Sequence, residues 1–390
     1  MGELARGARR PVTKPLGEGP WDYNTHKARI HVTVVTKGLD HPWGLAFLPD
    51  GSMLVTERPG RLRIVRDGKL DPMPIAGLPP IRAAVIGGLS DIEVHPNYRR
   101  NHLIYFSYSK PDAEEPSVST LAVARARYDG GSTLTDVRDI FVAADWYGPE
   151  MAGKNHRCCG QGPADGSFGA RMAFGKDGML YVTSGDRNWG EKAQEPSSNL
   201  GKIFRLRDDG TIPQDNPFVD REGYRPEIYT LGHRNPTGLT FDSATGRLWS
   251  TEFGPRGGDE LNRIEAGKNY GWILVTHGMH YNGDPVARGT DSVPGMTDPV
   301  LHWEPSINPG NIVVYRGRKF PGWRGDILMA TMTRSLVRIS FDQAGGPTGQ
   351  EKMLEDLGQR LRDVRVGPDG QVYVLTDETA GAMLRIAARR

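Results

Sequence analysis

What most constrains this chain is a strand–turn–strand unit that it repeats. Residues Trp43 to Val65 (WGLAFLPDGSMLVTERPGRLRIV) read as a strand, a Pro-Asp-Gly turn, a second strand, a Gly turn and a third strand, with apolar side chains at every second position. Related units recur at Asp91 to Tyr108, Arg171 to Asp186, Gly238 to Glu252, Ile312 to Phe341 and Val364 to Asp377. Three of them share their turn chemistry, at Pro49-Asp50-Gly51, Lys176-Asp177-Gly178 and Pro368-Asp369-Gly370. One such unit cannot bury both of its faces alone, but six standing in a ring can, so the pattern predicts an all-β, six-bladed β-propeller. The competing arrangement is a β-sandwich of irregular strands. The strand at Ile30 to Val35, ahead of the first full unit, is expected to complete the last blade and close the ring.

The units are unevenly spaced, at roughly 50 to 80 residues, so insertions of different length lie between common hairpins. In a propeller such insertions gather on one face around the central channel. Four segments qualify: Ile81 to Gly88, Asp145 to Ala170, His277 to Asn311 and Met332 to Ser335.

Composition agrees with one ordered body. The 50 glycines and 29 prolines suit many short strands joined by tight turns. Charged residues are 25% of the chain and nearly balanced, at a formal +2, with no acidic or basic block, which argues against a nucleic-acid partner. No apolar run approaches the roughly 18 residues of a membrane helix. The first residues, MGELARGARRPVTKPLGEGP, are basic and rich in Gly and Pro with no apolar segment. Residues 1–28 are therefore expected to be a disordered leader, and 29–390 a single propeller domain.

The chemistry concentrates in Tyr229 to Trp272 (YTLGHRNPTGLTFDSATGRLWSTEFGPRGGDELNRIEAGKNYGW). Arg234 and Asn235 precede Pro236, which stops regular pairing and presents them at a strand end, where a guanidinium suits a carboxylate. At Gly254-Pro255 backbone carbonyls can turn outward, with Asp259 and Glu260 close behind, a combination suited to calcium. An anion clamp beside a calcium corner suggests a bound, negatively charged cofactor.

This stretch, with GGLSDIEVHPNYRRNHLIYFSYS, NLGKIFRLRDDGTIPQDNPF, KNYGW and GQRLRDVRVGPDGQVYVLTDE, resembles the soluble aldose sugar dehydrogenases of the glucose/sorbosone dehydrogenase family, across roughly residues 40 to 387. The resemblance implies oxidation of an alcohol or hemiacetal carbon by hydride transfer to pyrroloquinoline quinone (PQQ), bound with calcium (Ca2+). It implies a small-molecule substrate, an external electron acceptor, a monomer or homodimer, and a periplasmic or secreted location. Arg234 and Asn235 match the family's cofactor-contacting Arg-Asn, and Arg360 and Arg362 match an Arg-x-Arg-Asp that binds cofactor carboxylates. Gly254 and Pro255 match the pair whose carbonyls hold the cofactor's calcium, while Glu260 and Tyr270 match positions at a second, structural calcium. On the residues alone, Arg360 and Arg362 read equally as partners of Asp363, and Tyr270 as a core aromatic.

Three departures from the family pattern stand out. Ile86 occupies the place of a Gln before Gly87-Gly88-Leu89, and Met332 that of a Lys near the cofactor. The family's general base is a His, where this chain reads Asp165-Gly166-Ser167-Phe168-Gly169-Ala170-Arg171, so that His is either replaced by Ser167 or deleted. A lone Ser is no base at ordinary pH. Nearby, Asn155-His156-Arg157-Cys158-Cys159 offers His156 as a relocated base, acting with Arg234, and Cys158-Cys159 as a vicinal disulfide. Alternatively His156, Cys158 and Cys159 bind a transition metal in place of PQQ. His277, His280 and His302 lie in the later insertions, and a non-catalytic binding propeller remains a further alternative. His233, beside Arg234, reads as structural. The sequence holds no Gly-x-Ser-x-Gly elbow, P-loop or dinucleotide fingerprint after a strand, which excludes serine hydrolysis, phosphoryl transfer and nicotinamide chemistry.

Overall fold

Each blade begins at the central channel and runs outward. In the computed structural model, which describes residues 14–148, 165–286, 290 and 292–389, two N-terminal strands, β1 (Trp21–Asn24) and β2 (Arg29–Leu39), precede the first blade. That blade is β3 (Pro42–Phe47), β4 (Met53–Glu57), β5 (Arg61–Arg66) and β6 (Lys69–Leu70). The second is β7 (Leu89–Val94), β8 (Leu103–Pro111), β9 (Ser119–Arg127) and β10 (Thr135–Val142). The third is β11 (Gly169–Phe174), β12 (Leu180–Ser184), β13 (Lys202–Leu206) and β14 (Ile228–Leu231). The fourth is β15 (Pro236–Phe241), β16 (Leu248–Glu252), β17 (Asp259–Ile264) and β18 (Leu301–Trp303). The fifth is β19 (Pro309–Val314), β20 (Ile327–Thr331), β21 (Ser335–Phe341) and β22 (Pro347–Met353), and the chain ends with β23 (Leu361–Val366), β24 (Val372–Thr376) and β25 (Gly381–Ala388).

The sixth sheet has the order β1-β2-β25-β24-β23, so the strand expected at Ile30 to Val35 does close the ring, pairing from Ile30↔Ala388 to Leu39↔Gly381. The innermost strands β3, β7, β11, β15, β19 and β23 pack in succession, and β23 returns to β3. The expectation of a leader through residue 28 is corrected at its far end. Residues 21–24 form β1, paired Trp21↔Val32 and Tyr23↔Ile30, because Trp21 and Tyr23 pack on the core between the last two blades.

The apolar cores lie between neighbouring blades, as a ring of two-faced sheets requires; one joins the first and second blades through Leu54, Ile64, Ile92 and Phe106. The axis is polar instead. Arg171 on β11 is fully buried and bridges the inner strands, donating to Asp91 Oδ1 at 2.9 Å, Thr237 O at 2.9 Å, Arg362 O at 3.2 Å and Trp43 O at 3.3 Å. Three inner strands also cap their neighbours: Asp91 accepts Met172 N, Asp363 accepts Leu45 N and Asn311 accepts Leu239 N.

All six inner strands are bulged near their first residues, between Pro42/Gly44, Leu89/Ile92, Gly169/Met172, Pro236/Gly238, Pro309/Ile312 and Leu361/Asp363. A bulge adds a residue to one strand and re-aims its side chains. Six bulges at one level turn Trp43, Ser90, Thr237 and Arg362 into the channel mouth, all of them lining a cavity there.

Candidate active site

The cavity has a volume of about 760 Å³. Every one of the four insertions reaches it, through Val85 and Ile86, Gly166 to Gly169, Tyr281 with Asn308, and Met332 to Arg334. Ile86, Ser167 and Met332, the three departures from the family pattern, therefore share one wall system.

One side of the cavity is a cluster of cations around a single carboxylate. Arg360 precedes β23 and Arg362 lies on it; their Nη2 atoms donate to Asp377 Oδ2 at 3.1 and 2.6 Å. His41 Nδ1 stands 3.1 Å from Asp377 Oδ1. Burial alone would raise the Asp377 carboxyl, but the charges of Arg362 and Arg360 and the His41 hydrogen bond outweigh it and hold the group well below the usual carboxylate range. The Arg-x-Arg pair thus uses Asp377; Asp363, the partner suggested by sequence, faces Asn311, Leu45 N and Arg365 instead. Arg58, at the end of β4, lines the same wall, and no hydrogen bond or ion pair engages its guanidinium among the described residues. Burial lowers its pKa, as do the neighbouring charges of Arg362 and Arg360, against the pull of Asp377. The Nε atoms of Arg360 and Arg362 are buried without a partner. Three guanidiniums facing one carboxylate leave an excess of positive charge and unused donors, which fits a polyanion with planar carboxylates.

On the opposite side Arg234 and Asn235 occupy the link between β14 and β15, where Pro236 ends free pairing. Arg234 N donates to Glu252 Oε2 at 2.7 Å, and its Nη1 donates to Gly254 O at 2.8 Å and Phe253 O at 3.2 Å. The Asn235 amide oxygen accepts Gly169 N at 3.0 Å, tying the Ser167 turn to the same corner. His233 is structural, as expected: fully buried, it bonds Thr230 Oγ1 and Glu252 Oε1 and stacks on Tyr270 at 4.8 Å.

The Gly254-Pro255 turn, expected from the sequence to suit calcium, is tightly folded. A Cβ on Gly254 would meet Gly257 O at 2.1 Å and Gly258 O at 2.5 Å, so carbonyl oxygens crowd this turn. Asp259 braces the turn from outside the cavity, taking Gly254 N on Oδ1 and Ile307 N and Asn308 N on Oδ2. Its carboxylate is thereby engaged with backbone donors. The Tyr270 hydroxyl is likewise occupied, donating to Arg263 O and accepting Glu265 N, so only its backbone carbonyl is open to a cation. Glu260 and Glu252 both accept from Asn262 Nδ2, at 3.0 and 2.9 Å; burial and the Glu252 charge push the Glu260 carboxyl well above its usual value.

His156, Cys158 and Cys159, and with them the relocated base and the transition-metal alternative, lie outside the described residues. His277 and His302 stack at 3.8 Å, but neither they nor His280 line the cavity. No three His, Cys, Asp or Glu side chains come together to hold a metal among the described residues. Arg58, His41, Asp377 and Trp43 were missed in the sequence. A signal existed for Asp377, since an Arg-x-Arg at a strand start calls for a carboxylate at the end of the antiparallel neighbour, and Thr376-Asp377 ends that strand.

Residues 39–385 match the family model described as Glucose / Sorbosone dehydrogenase. Aldose sugar dehydrogenase YliI of Escherichia coli K12 is 38% identical over 365 residues, covering 93% of this chain and 94% of its own. The apo-form crystal structure of the soluble aldose sugar dehydrogenase from Escherichia coli superposes with a TM-score of 0.83 at 37% identity, over 92% of this chain and 100% of that one. The PQQ-bound aldose sugar dehydrogenase of Streptomyces coelicolor superposes with a TM-score of 0.72 at 27% identity, over 93% and 99%.

Proposed function

Because the chain belongs to the glucose/sorbosone dehydrogenase family, we propose that it is a quinoprotein that oxidises a C–OH carbon of a sugar or another alcohol with PQQ bound at the channel mouth. The observation that carries this reading is the excess of guanidinium over carboxylate there: Arg58, Arg360 and Arg362 around Asp377. PQQ has three carboxylates, and when bound it supplies the acceptor for the hydride leaving the substrate carbon. Arg360 and Arg362 would pair with cofactor carboxylates through the donors that Asp377 does not take, and Arg58 would gain the anionic partner it lacks. Arg234 and Asn235 stand across the cavity and would fix the other end. There Arg234 would place positive charge where negative charge develops during reduction.

The carbonyls of Gly254 and Pro255 would hold calcium beside the cofactor, supported by the crowding of carbonyl oxygens at this turn. The Glu260 carboxylate and the Tyr270 carbonyl would hold a second, structural calcium, supported by the placement of Glu260 and Glu252 around the shared Asn262 amide. Electrons would leave to an external acceptor, in the periplasm or outside the cell. No helix among the described residues is long and apolar enough to cross a membrane.

Reconstitution tests the reading. The metal-free protein is titrated with PQQ and calcium, followed by absorbance and calorimetry, and then offered a panel of aldoses and alcohols with a dye acceptor. Saturable binding with turnover is expected; no binding at micromolar PQQ would overturn the proposal.

A further inference from the structure

Asp186 follows β12 and lies just behind the cavity wall. It is 1% exposed and does not line the cavity, whereas Ser167 and Asn188, on either side of it in space, do. Its carboxylate accepts Asn188 N on Oδ1 and Trp272 Nε1 on Oδ2, both at 2.8 Å, and the Ser167 hydroxyl lies beside it and favours its ionised form. Ser167 Oγ is also 3.4 Å from Asn188 Oδ1, so the hydroxyl has an acceptor on either side. The amide and the indole can only donate. Ser167 is therefore the one partner of Asp186 that both reaches the cavity and can pass a proton.

The turn that holds Ser167 is closely fitted. Ser167 has φ +49°, and its carbonyl accepts Arg187 N at 3.2 Å. Gly185 packs so near that a Cβ there would come within 1.9 Å of Ser167 O. The charge of Arg234 acts on Asp186, and the Arg234 carbonyl also accepts Asp186 N at 2.7 Å. Burial raises the Asp186 carboxyl, and Arg234, Asn188 N, Trp272 and Ser167 pull it part of the way back. The result is a carboxylate more basic than usual, adjacent to Arg234 and screened from water by a hydroxyl.

We propose that Ser167 and Asp186 form a proton relay that replaces the imidazole of the family pattern. As the substrate O–H breaks, its proton bonds to Ser167 Oγ while the original Ser167 proton passes to the Asp186 carboxylate. Ser167 ends as it began, Asp186 ends neutral, and the negative charge moves to the substrate oxygen, from which the carbonyl forms as the hydride departs. This proposal rests on the dehydrogenase reading given above.

Two measurements test it, one of them on protein without cofactor. Trp272 Nε1–H bonds directly to Asp186, so its amide-type ¹⁵N–¹H signal, assigned with Trp272→Phe, reports the charge of that carboxyl. It is expected to titrate above the usual carboxylate range, to move to higher pH in Ser167→Ala, which loses a donor to the ionised form, and to stop titrating in Asp186→Asn. In the PQQ- and calcium-loaded enzyme, Ser167→Ala is expected to lower kcat on the order of 10²–10⁴-fold with PQQ affinity within twofold. Ser167→His is expected to keep turnover, with the acid limb of its pH profile moved to the imidazole range. Wild-type turnover that Ser167→Ala matches within twofold, or a Trp272 signal indifferent to Ser167→Ala, would overturn the relay and leave the dehydrogenase standing. Failure of the wild type to bind PQQ would overturn both.

Discussion

Arg58 offers the sharpest separation of binding from folding. Its guanidinium makes no hydrogen bond or ion pair among the described residues, and burial with the charges of Arg362 and Arg360 outweighs the pull of Asp377, so in the cofactor-free protein it is a cost. Arg58→Met keeps most of the apolar stem and removes the charge. The thermal midpoint of the cofactor-free protein should then stay level or rise. Binding should fall, because a hydrogen-bonded pair with a charged group contributes about 1.5–3 kcal/mol, or about 10- to 150-fold in Kd. Thermal shift reads both effects. At a ligand concentration of ~100 Kd the wild type gains about 2.7 kcal/mol, whereas a ~100-fold weaker variant at the same concentration gains about 0.4. With an unfolding entropy of ~2.1 cal/mol/K per residue, close to 0.8 kcal/mol/K for a chain this long, these gains are about 3 °C and about 0.5 °C. The reasoning fails if Arg58→Met melts several degrees lower without cofactor, since Arg58 would then be paired in the fold. It fails equally if the PQQ-induced shift is unchanged.

Arg171→Met removes one of the two guanidiniums shared by Asp91 and Asp363, together with its bonds to three inner-strand carbonyls, and leaves both buried carboxylates to Arg365 alone; a loss of about 3–5 kcal/mol is expected, roughly 4–6 °C by differential scanning calorimetry. Asp377 has its pKa depressed in the folded state, so the stability it contributes is complete above about pH 4 and is lost as pH falls through its folded value; acid melts should show this limb, and Asp377→Asn should flatten it. Ile86 is 40% exposed at the cavity rim, so Ile86→Gln should leave the melting temperature unchanged within about 1 °C and shift kcat/KM toward polar aldoses and away from apolar alcohols by about 10-fold, measured on a paired substrate panel.

The fold was legible because its signals are local. Each Pro-Asp-Gly or Lys-Asp-Gly turn sits between strands of period two, and six copies permit few closures. The N-terminal strand was legible for the same reason, as Ile30 to Val35 has no other sheet to join. The strand at Trp21 was not, because two aromatics in a Gly/Pro-rich segment show no period, and only their packing on the sixth blade decides it. Arg234, Asn235, Arg360 and Arg362 were legible as donors at strand ends. Their partners were not, since the Asp377 pairing depends on the register of β23 against β24, which places Leu361 opposite Thr376. The six inner-strand bulges left no mark that sequence reading could use. Arg58 directly follows β4, in the run LVTERPGRL, among residues that look like any charged hairpin end.

The distribution of the departures bears on specificity. Arg58, Arg360 and Arg362 stand at the first and sixth blades, where short turns between paired strands set their positions; Arg234 and Asn235 are fixed by Glu252 and Gly169 across one blade boundary. These positions belong to the scaffold and cannot drift without disturbing a bulge. Ile86 and Ser167 instead belong to insertions between blades, and Met332 to the short turn that joins β20 to β21. Two of the three replace a polar or charged group with an apolar one, and the exposed Val85, Ile86 and Tyr281 add apolar surface at the rim. An aldose presents hydroxyls on every carbon and has little use for such a rim, while an alcohol with one oxidisable hydroxyl on a larger apolar body matches it better. On the proposed reading, a scaffold that keeps the cofactor end constant while the loops change the other end separates cofactor from substrate, so the sugars named for its relatives do not transfer to this chain by identity alone.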